Sequence, residues 1–392
     1  MAWTVCHHQG DPVNSRYTGG KMAERSGCAA IRTASAKVWQ GPIGLGSRHT
    51  FARSTALPFP CGLCDTRTIP APNHRRQEVR MQQVELDQGI GAHTLTLNRS
   101  AANGSLECTL CPGRGGVVSR LAWRGATGTI DLLRPASDWA LHHGSAIDMG
   151  CFPLVPFSNR IAGGEFTFDG RRVRLPLDGD GNPHVIHGHG WRAAWTVEEA
   201  TESAVRMVFR HPADAWPWRY RATQTVALEE DGASLTLSLV NEDDTPMPAG
   251  IGLHPYFPKP PGTRLTARVG GVWLNGPTIL PVERAAVPPG WAFTDGIVMD
   301  RTVLDNGFTG WDGKAALDWP TLGRRLSIET EGPFGHLIVY APPDAAYLCV
   351  EPVSHMTDAV NRPEEPDTGL RRLEPGGELS GTLRLRLEPL AP

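Results

Sequence analysis

The amino-acid sequence predicts an all-β fold, a large antiparallel β-sandwich, for most of the 392-residue chain. Apolar and polar residues alternate in many short segments, and 44 Gly and 34 Pro are frequent enough to interrupt long helices. No segment keeps a 3.6-residue apolar period for three turns, and strand and helix patterns do not follow each other in the rhythm of a parallel sheet. Coiled coils and helical bundles are therefore excluded.

Short alternating runs predict the individual strands. Apolar residues two positions apart would lie on one face of a half-buried strand. In chain order these runs are Leu95/Leu97, Phe166/Phe168, Val173/Leu175/Leu177, Val205/Met207/Phe209, Leu235/Leu237/Leu239, Leu326/Ile328 and Leu383/Leu385/Leu387. Asp169-Gly170 and Asp231-Gly232 lie between alternating runs and predict two hairpins, in which Gly would take the positive φ of a tight turn.

Residues 1–80 differ in composition from the rest of the chain. They carry 11 Lys and Arg against 4 Asp and Glu, whereas residues 81–392 carry 27 against 37. Because the first 80 residues show no face that could be buried, we expect a poorly structured basic leader there, not necessarily part of the native fold. An organellar or export signal is the alternative for such an Arg-rich, acid-poor segment. Residues 81–392 would form one catalytic sandwich domain.

Charge and cysteine content restrict the possible partners. The surplus of negative charge in residues 81–392 argues against nucleic acid and anionic membrane surfaces. No apolar run is long enough to span a membrane, and the first 30 residues lack a secretory core, so we expect a reducing cytoplasm. Two Cys-x-x-Cys pairs, Cys61/Cys64 and Cys108/Cys111, lie farther apart than the roughly 15–20 residues of a zinc ribbon. We therefore expect free, buried thiols rather than a metal site.

Two segments combine polar residues with Gly, Pro and aromatic residues, as binding loops do. In the first, Asn159 and Arg160 are embedded among apolar residues. The planar guanidinium suits vicinal hydroxyls or a carboxylate, and a structural salt bridge is the alternative. In the second, three His within residues 184–189 precede Trp191. His187 could contact a ligand beside a sugar-stacking indole, bind a metal, or be a loop or core histidine.

Three further residues are candidates for acid–base chemistry. His254 lies between apolar residues before Pro255, where a satisfied core histidine is the alternative. Glu351 ends an apolar strand, and a carboxylate there needs partners or a raised pKa, both common in a general base. Asp305 stands in an Asp-Asn-Gly run that would also suit a plain turn.

Four of these motifs, in this order, resemble the aldose 1-epimerase (mutarotase) family over residues 85–390. The motifs are Asn159-Arg160-Ile161, His187-Gly188, Leu253-His254-Pro255-Tyr256-Phe257 and Val350-Glu351-Pro352. The resemblance implies a galactose-mutarotase-like β-sandwich with an open cleft, no metal and no organic cofactor. It also implies that Glu351 is the general base and His254 the general acid, and that Arg160, His187 and Asp305 bind or orient an aldose. Asn159 and Trp191 complete the expected sugar site. We expect the protein to be a monomer or a homodimer.

The residue types suit this reaction independently of the resemblance. Opening a pyranose ring removes a proton from the anomeric hydroxyl and donates one to the ring oxygen. At their ordinary pKa values, about 4.3 and about 6.5, a glutamate is ionised at neutral pH and a histidine can gain or lose a proton. Phosphate loops, nucleophile elbows and zinc-protease motifs are not found in the sequence.

Three alternative functions remain open from the sequence. A non-catalytic carbohydrate-binding domain could use the same fold. A hexose-6-phosphate mutarotase would need basic residues for the phosphate, for which Arg192 is a candidate. A glycosidase would need two carboxylates about 5–10 Å apart, which Glu351 and Asp305 could supply.

Overall fold

The computed structural model describes residues 94–391. The expected leader of residues 1–80, its boundary at residue 81 and the Cys61/Cys64 pair lie outside this range.

Short strands form most of the described chain. In its first half they are β1 (Leu95–Ala101), β2 (Gly104–Cys111), β3 (Val117–Gly125), β4 (Gly128–Asp131), β5 (Cys151–Leu154), β6 (Arg160–Ile161), β7 (Glu165–Phe168), β8 (Arg171–Arg174), β9 (Val185–Ile186), β10 (Thr196–Ala200), β11 (Ala204–His211), β12 (Tyr220–Leu228) and β13 (Gly232–Asn241). In its second half they are β14 (Met247–Ala249), β15 (Gly252–Pro258), β16 (Arg264–Ala267), β17 (Gly271–Asn275), β18 (Pro281–Ala285), β19 (Ile297–Val298), β20 (Leu304–Thr309), β21 (Lys314–Trp319), β22 (Arg324–Glu331), β23 (His336–Ala341), β24 (Tyr347–Val353), β25 (Arg371–Leu373) and β26 (Glu378–Pro389).

Helical segments are short in the described part of the chain. The α-helix α1 spans Asp138–His143, with Ser137 as its N-cap. Single 3-10 turns follow at Ala146–Asp148, Ala162–Gly164, Pro289–Trp291, Phe293–Asp295, Pro320–Leu322 and Ala359–Asn361. Among residues 94–391, none of these helices has the length and apolar composition that crossing a bilayer requires.

Two large antiparallel sheets dominate the fold, which confirms the predicted all-β sandwich. An eleven-stranded sheet has the order β1-β2-β3-β5-β15-β24-β23-β20-β17-β18, with β4 paired to β3. A nine-stranded sheet has the order β10-β11-β12-β13-β26-β22-β21-β16-β19. Small ribbons pair β6 with β9, β7 with β8 and β14 with β25.

The main core lies between the two large sheets. The eleven-stranded sheet contributes Leu253 and Phe257 of β15, and the nine-stranded sheet contributes Leu237 of β13 and Leu383 of β26. A second, smaller apolar cluster covers the other face of the eleven-stranded sheet and includes Phe152. This sheet therefore has both faces buried along its central strands, as the consecutive buried positions of β5, β15 and β24 show.

Both predicted hairpins form, but glycine has a different role in each. Asp169 and Gly170 have φ values of 50° and 77° and connect β7 to β8, as expected of a tight turn. Gly232 instead begins β13 and lacks a positive φ. A Cβ atom at Gly232 would lie 1.7 Å from the carbonyl oxygen of Leu385, so glycine is needed there for close strand approach.

Two other expectations concern β8 and the cysteines. The predicted run through Leu175 and Leu177 is too long, because β8 ends at Arg174 and Leu177 is 50% exposed. The cysteines of the described chain, Cys108, Cys111, Cys151 and Cys349, are buried free thiols, as predicted.

Candidate active site

Strand register brings the two candidate acid–base residues together. Strands β15 and β24 are antiparallel, with Gly252 opposite Val353 and Tyr256 opposite Cys349. His254 and Glu351 are the opposed pair midway between these positions, although 97 residues separate them in the sequence. The His254 Nε2 atom lies 3.3 Å from Glu351 Oε1. Both residues are buried, with exposed fractions of 7% and 2%.

A second row of side chains runs across the strands next to this pair, on the same face of the sheet. Tyr256 is opposite Cys349, Cys349 is opposite Tyr340, and Tyr340 is opposite Asp305 of β20. Directly opposed residues of antiparallel strands project from one face. The register thus places Asp305 on the same face of the sheet as Glu351.

Two aromatic rings hold the imidazole of His254. Phe152 of β5 stacks on it with ring centroids 4.5 Å apart, and Tyr256 stacks with centroids 4.7 Å apart. Arg134 lies over the Tyr256 ring, its Cζ atom 3.9 Å from the centroid. These contacts limit rotation of the His254 side chain and exclude water from it.

Burial determines the electrostatics of the pair. Loss of solvent raises the pKa of Glu351 well above its usual range, with a further increase from the charge of Asp305. Burial lowers the pKa of His254 to about 3. The sequence-based assumption of ordinary pKa values is therefore wrong for both groups. Burial disfavours the charged form of each group. We therefore treat Glu351 and His254 as one coupled pair that shares a single titratable proton at neutral pH.

Each member of the pair retains an unused polar atom. Glu351 Oε2 and His254 Nδ1 are buried without a hydrogen-bond partner among the described residues. Unpaired buried polar atoms are costly, and they are common where a ligand supplies the missing partner.

Asn159 and His187 form a reciprocal contact from two loops. The His187 amide donates to the Asn159 carbonyl oxygen over 2.9 Å, and the Asn159 amide donates to His187 Nδ1 over 3.2 Å. Both residues have positive φ, 53° and 63°. Since Nδ1 accepts a hydrogen bond, the proton of the neutral ring is on Nε2. Burial lowers the pKa of His187 well below its usual range, so it stays a neutral donor.

The Asn159 side chain also orients Arg160. Its Oδ1 atom accepts hydrogen bonds from the Arg160 amide over 2.9 Å and from Arg160 Nη1 over 3.1 Å. The positive charge of Arg160 counteracts the burial that raises the pKa of Asp305 and Glu351. Arg160 is thus close enough to influence both carboxyl groups.

Trp191 packs next to His187. It is 6% exposed, and its indole N–H donates to the Gly188 carbonyl oxygen over 3.1 Å. Phe152 stacks on its ring, and the Arg192 Cζ atom lies 4.0 Å from the ring centroid. Arg192 also pairs with Asp178. Trp191 therefore packs against protein groups in place of the open indole face expected from the sequence.

A metal at this site would have to use Cys349 together with the acid–base pair. One ligand atom each from His254, Cys349 and Glu351 lie within 4.8 Å of one another. Burial raises the pKa of Cys349 as well as that of Glu351. The deprotonated thiol and carboxyl that a cation requires are therefore disfavoured.

The sequence predicts the polar residues of this candidate site but not the aromatic rings and the arginine that pack around them. Tyr256 could have been found from the sequence, since it lies two positions from His254 on an alternating strand. Phe152 and Arg134 could not, because their contacts depend on pairings between segments far apart in the chain.

The fold and site geometry define a galactose-mutarotase-like sandwich. Residues 100–386 match the aldose 1-epimerase family, and the chain belongs to that family. It is 33% identical over 295 residues to the uncharacterized protein YphB of Escherichia coli K12, covering 73% of this chain and 97% of that protein.

Solved structures share this fold. The crystal structure of a provisionally assigned aldose 1-epimerase from Escherichia coli K12 is 31% identical, with a TM-score of 0.67 over 76% of this chain and all of the other. A galactose mutarotase-like protein from Clostridium acetobutylicum, 21% identical, also has a TM-score of 0.67, over 76% of this chain and 95% of its own.

Proposed function

We propose that this protein is an aldose 1-epimerase that interconverts the α and β anomers of an aldose, with Glu351 and His254 as its acid–base pair. The observation that carries the proposal is the 3.3 Å contact between His254 Nε2 and Glu351 Oε1, buried beside Arg160, His187 and Asp305. The two oxygens that exchange protons in ring opening are bonded to one carbon atom. Their proton acceptor and donor must therefore be close neighbours.

In the proposed mechanism, Glu351 takes the proton of the anomeric hydroxyl through Oε2, which has no protein partner among the described residues. The bond between the anomeric carbon and the ring oxygen breaks, and the carbonyl group forms. His254 donates its Nε2 proton to the departing ring oxygen. The open-chain aldehyde then rotates, and the ring closes on the opposite face with the two roles reversed.

The acid–base pair shares one titratable proton both before and after ring opening, so ring closure can follow the same steps in reverse. Before ring opening, Glu351 is a carboxylate and His254 is protonated; in the open-chain state, both groups are neutral. Burial favours the neutral arrangement, whereas the positive charge of Arg160 favours the carboxylate. These opposing influences reduce the free-energy difference between the two arrangements, which allows the proton to move in either direction.

The surrounding groups would bind and orient the sugar. Arg160 and Asp305 offer a donor fork and an acceptor for hydroxyl groups, and His187 offers an Nε2 proton. In this proposal Asn159 and Trp191 position Arg160 and His187 and do not contact the sugar themselves. The reaction requires neither a metal nor an organic cofactor.

Polarimetry on freshly dissolved α-D-glucose and α-D-galactose tests the proposal. We expect the protein to accelerate the approach to anomeric equilibrium for at least one aldose in a panel of free and 6-phosphorylated sugars. Rates equal to those of buffer for every sugar, with sugar binding retained, would instead establish a non-catalytic carbohydrate-binding protein. Acceleration restricted to phosphorylated sugars would identify a hexose-6-phosphate mutarotase, for which Arg192 would have to leave its pairing with Asp178.

A further inference from the structure

Gly307 lies on the face of the eleven-stranded sheet that carries the proposed acid–base pair. Glu351 of β24 is opposite Ile338 of β23, which in turn is opposite Gly307 of β20. Trp273 of β17 is the next residue of this cross-strand row. Because directly opposed residues of antiparallel strands project from one face, Gly307 shares the face of Glu351, two strands or roughly 10 Å away. It is also two positions along β20 from Asp305.

Neither backbone conformation nor packing requires a glycine at this position. Gly307 lies inside β20 and has no positive φ. Apart from the adjacent residues, a Cβ atom there would have one neighbour within 4 Å in the described chain, Ile338 Cδ1 at 3.2 Å. That atom is the end of a side chain and can move. By contrast, a Cβ atom at Gly381 inside β26 would lie 2.4 Å from the Phe334 ring, so packing explains that glycine.

The side chains of residues 94–391 leave the space above Gly307 open. No atom of the described residue Trp273 comes within 4 Å of the Cβ position, although the two residues are directly opposed. Gly307 is half-buried, whereas the next residue, Phe308, is fully buried in the main core. A glycine in a strand interior weakens the strand and often marks the close approach of a ligand. The main chain of β20 is therefore accessible beside Asp305.

The groups proposed to bind the sugar direct it towards β20. Asp305 lies on β20 itself, and its charge and that of Arg160 both act on Glu351. A sugar whose anomeric carbon lies at Glu351 and whose hydroxyl group binds Asp305 must cross β23 and reach β20. Because Gly307 is the next residue on that face of β20, a side chain there would compete with the sugar for space.

We propose that Gly307 determines which aldoses the site accepts, by leaving room over β20 for a substituent of the sugar ring. This inference rests on the proposed epimerase function, because it concerns the same site. It assigns specificity to a residue without a side chain, beside the polar groups that bind the hydroxyls.

Gly307→Ala adds one methyl group to this space. We expect the affinity and kcat/KM for the favoured aldose to fall about tenfold or more, the discrimination that one methylene can provide in a pocket. The loss should be largely recovered with a deoxy sugar or a pentose that lacks the displaced substituent. An equal loss for every sugar would indicate a general structural effect and would overturn the proposal.

Ile338→Val separates strain within the protein from contact with the sugar. Valine lacks Cδ1, the atom 3.2 Å from the added methyl group, so the double variant Ile338→Val/Gly307→Ala relieves that contact. We expect the double variant to keep the altered sugar selectivity, relative to Ile338→Val alone. Wild-type selectivity in the double variant would overturn the proposal.

Gly335→Ala is the matched control. Gly335 is also half-buried, has no positive φ, and has no atom of the described chain within 4 Å of its Cβ position apart from the adjacent residues. It lies before β23, outside the row of Glu351. We expect this variant to have the sugar selectivity of the wild type, and a selectivity change equal to that of Gly307→Ala would overturn the proposal.

Titration calorimetry gives the affinity for each sugar, polarimetry gives kcat/KM, and thermal unfolding checks the fold of each variant. Values for Gly307→Ala equal to those of the wild type for every sugar would overturn this proposal alone. If the wild type binds sugar without accelerating the reaction, the epimerase proposal fails and the calorimetric comparison decides the role of Gly307. Failure of the wild type to bind any aldose would overturn both proposals.

Discussion

The two large sheets bury their residues in different ways. In β13 of the nine-stranded sheet, Leu235, Leu237 and Leu239 are buried while the residues between them are partly exposed. In β24 of the eleven-stranded sheet, every position from residue 348 to residue 353 is buried. One sheet separates a core face from a more exposed face, whereas the other is covered on both faces.

The second covered face is where the proposed chemistry lies. Leu253 and Phe257 of β15 enter the main core, while His254 and Tyr256, at the alternate positions, face the smaller cluster. Loops carrying Asn159 and His187 close over that face. Side chains of the nine-stranded sheet therefore stabilise the fold, and those on the outer face of the eleven-stranded sheet are available for catalysis.

The largest expected effect is that of Glu351→Gln. The amide keeps the shape of the carboxylate but cannot accept the anomeric proton, so we expect kcat to fall by on the order of 10³-fold or more. Polarimetry gives the rate, and thermal unfolding tests whether the fold is intact. A variant with wild-type kcat would remove Glu351 from the mechanism.

His254→Asn should have a smaller but still severe effect. The asparagine can donate a hydrogen bond but cannot transfer a proton to the ring oxygen, and we expect a loss of about 10²-fold in kcat. The same assay measures it, with KM determined separately. A change in KM alone would indicate that His254 binds the sugar without acting as an acid.

Leu237→Ala tests the other side of the comparison. This residue is fully buried in the nine-stranded sheet, so we expect a loss of about 2–5 kcal/mol in the free energy of unfolding. Below the unfolding transition, kcat should stay within about twofold of wild type. Denaturant unfolding and polarimetry on the same sample separate the two quantities, and a large fall in kcat would show that the sheets are not functionally distinct.

The smallest expected effect is on the pH profile. The raised pKa of Glu351 keeps the shared proton on the pair at neutral pH, and the pKa of His254, lowered to about 3, delays uptake of a second proton until the pH falls towards that value. We therefore expect kcat/KM to be nearly constant between about pH 5 and pH 7. A half-loss of activity near pH 6.5 would indicate an ordinary, solvated histidine and contradict the coupled pair.

Strands with one exposed face were the easiest to predict. Alternation located β11, β13, β22 and β26, because a strand with one exposed face repeats apolar residues every two positions. The strands of the proposed active site lack this contrast, since both of their faces are buried. His254 and Glu351 were nevertheless identifiable, because a polar residue within an apolar run needs a partner or a function.

The sequence by itself determined the fold class, the Asp169-Gly170 hairpin and the residue types of the acid–base chemistry, since these depend on local periodicity and turn preference. Only the tertiary structure decided that His254 lies opposite Glu351, that Trp191 packs next to His187, and that His189 stacks on His211. Each of these contacts joins segments through strand register or loop packing. The physical reason is that burial and pairing between distant segments set both the distances and the pKa values, and no local pattern encodes them.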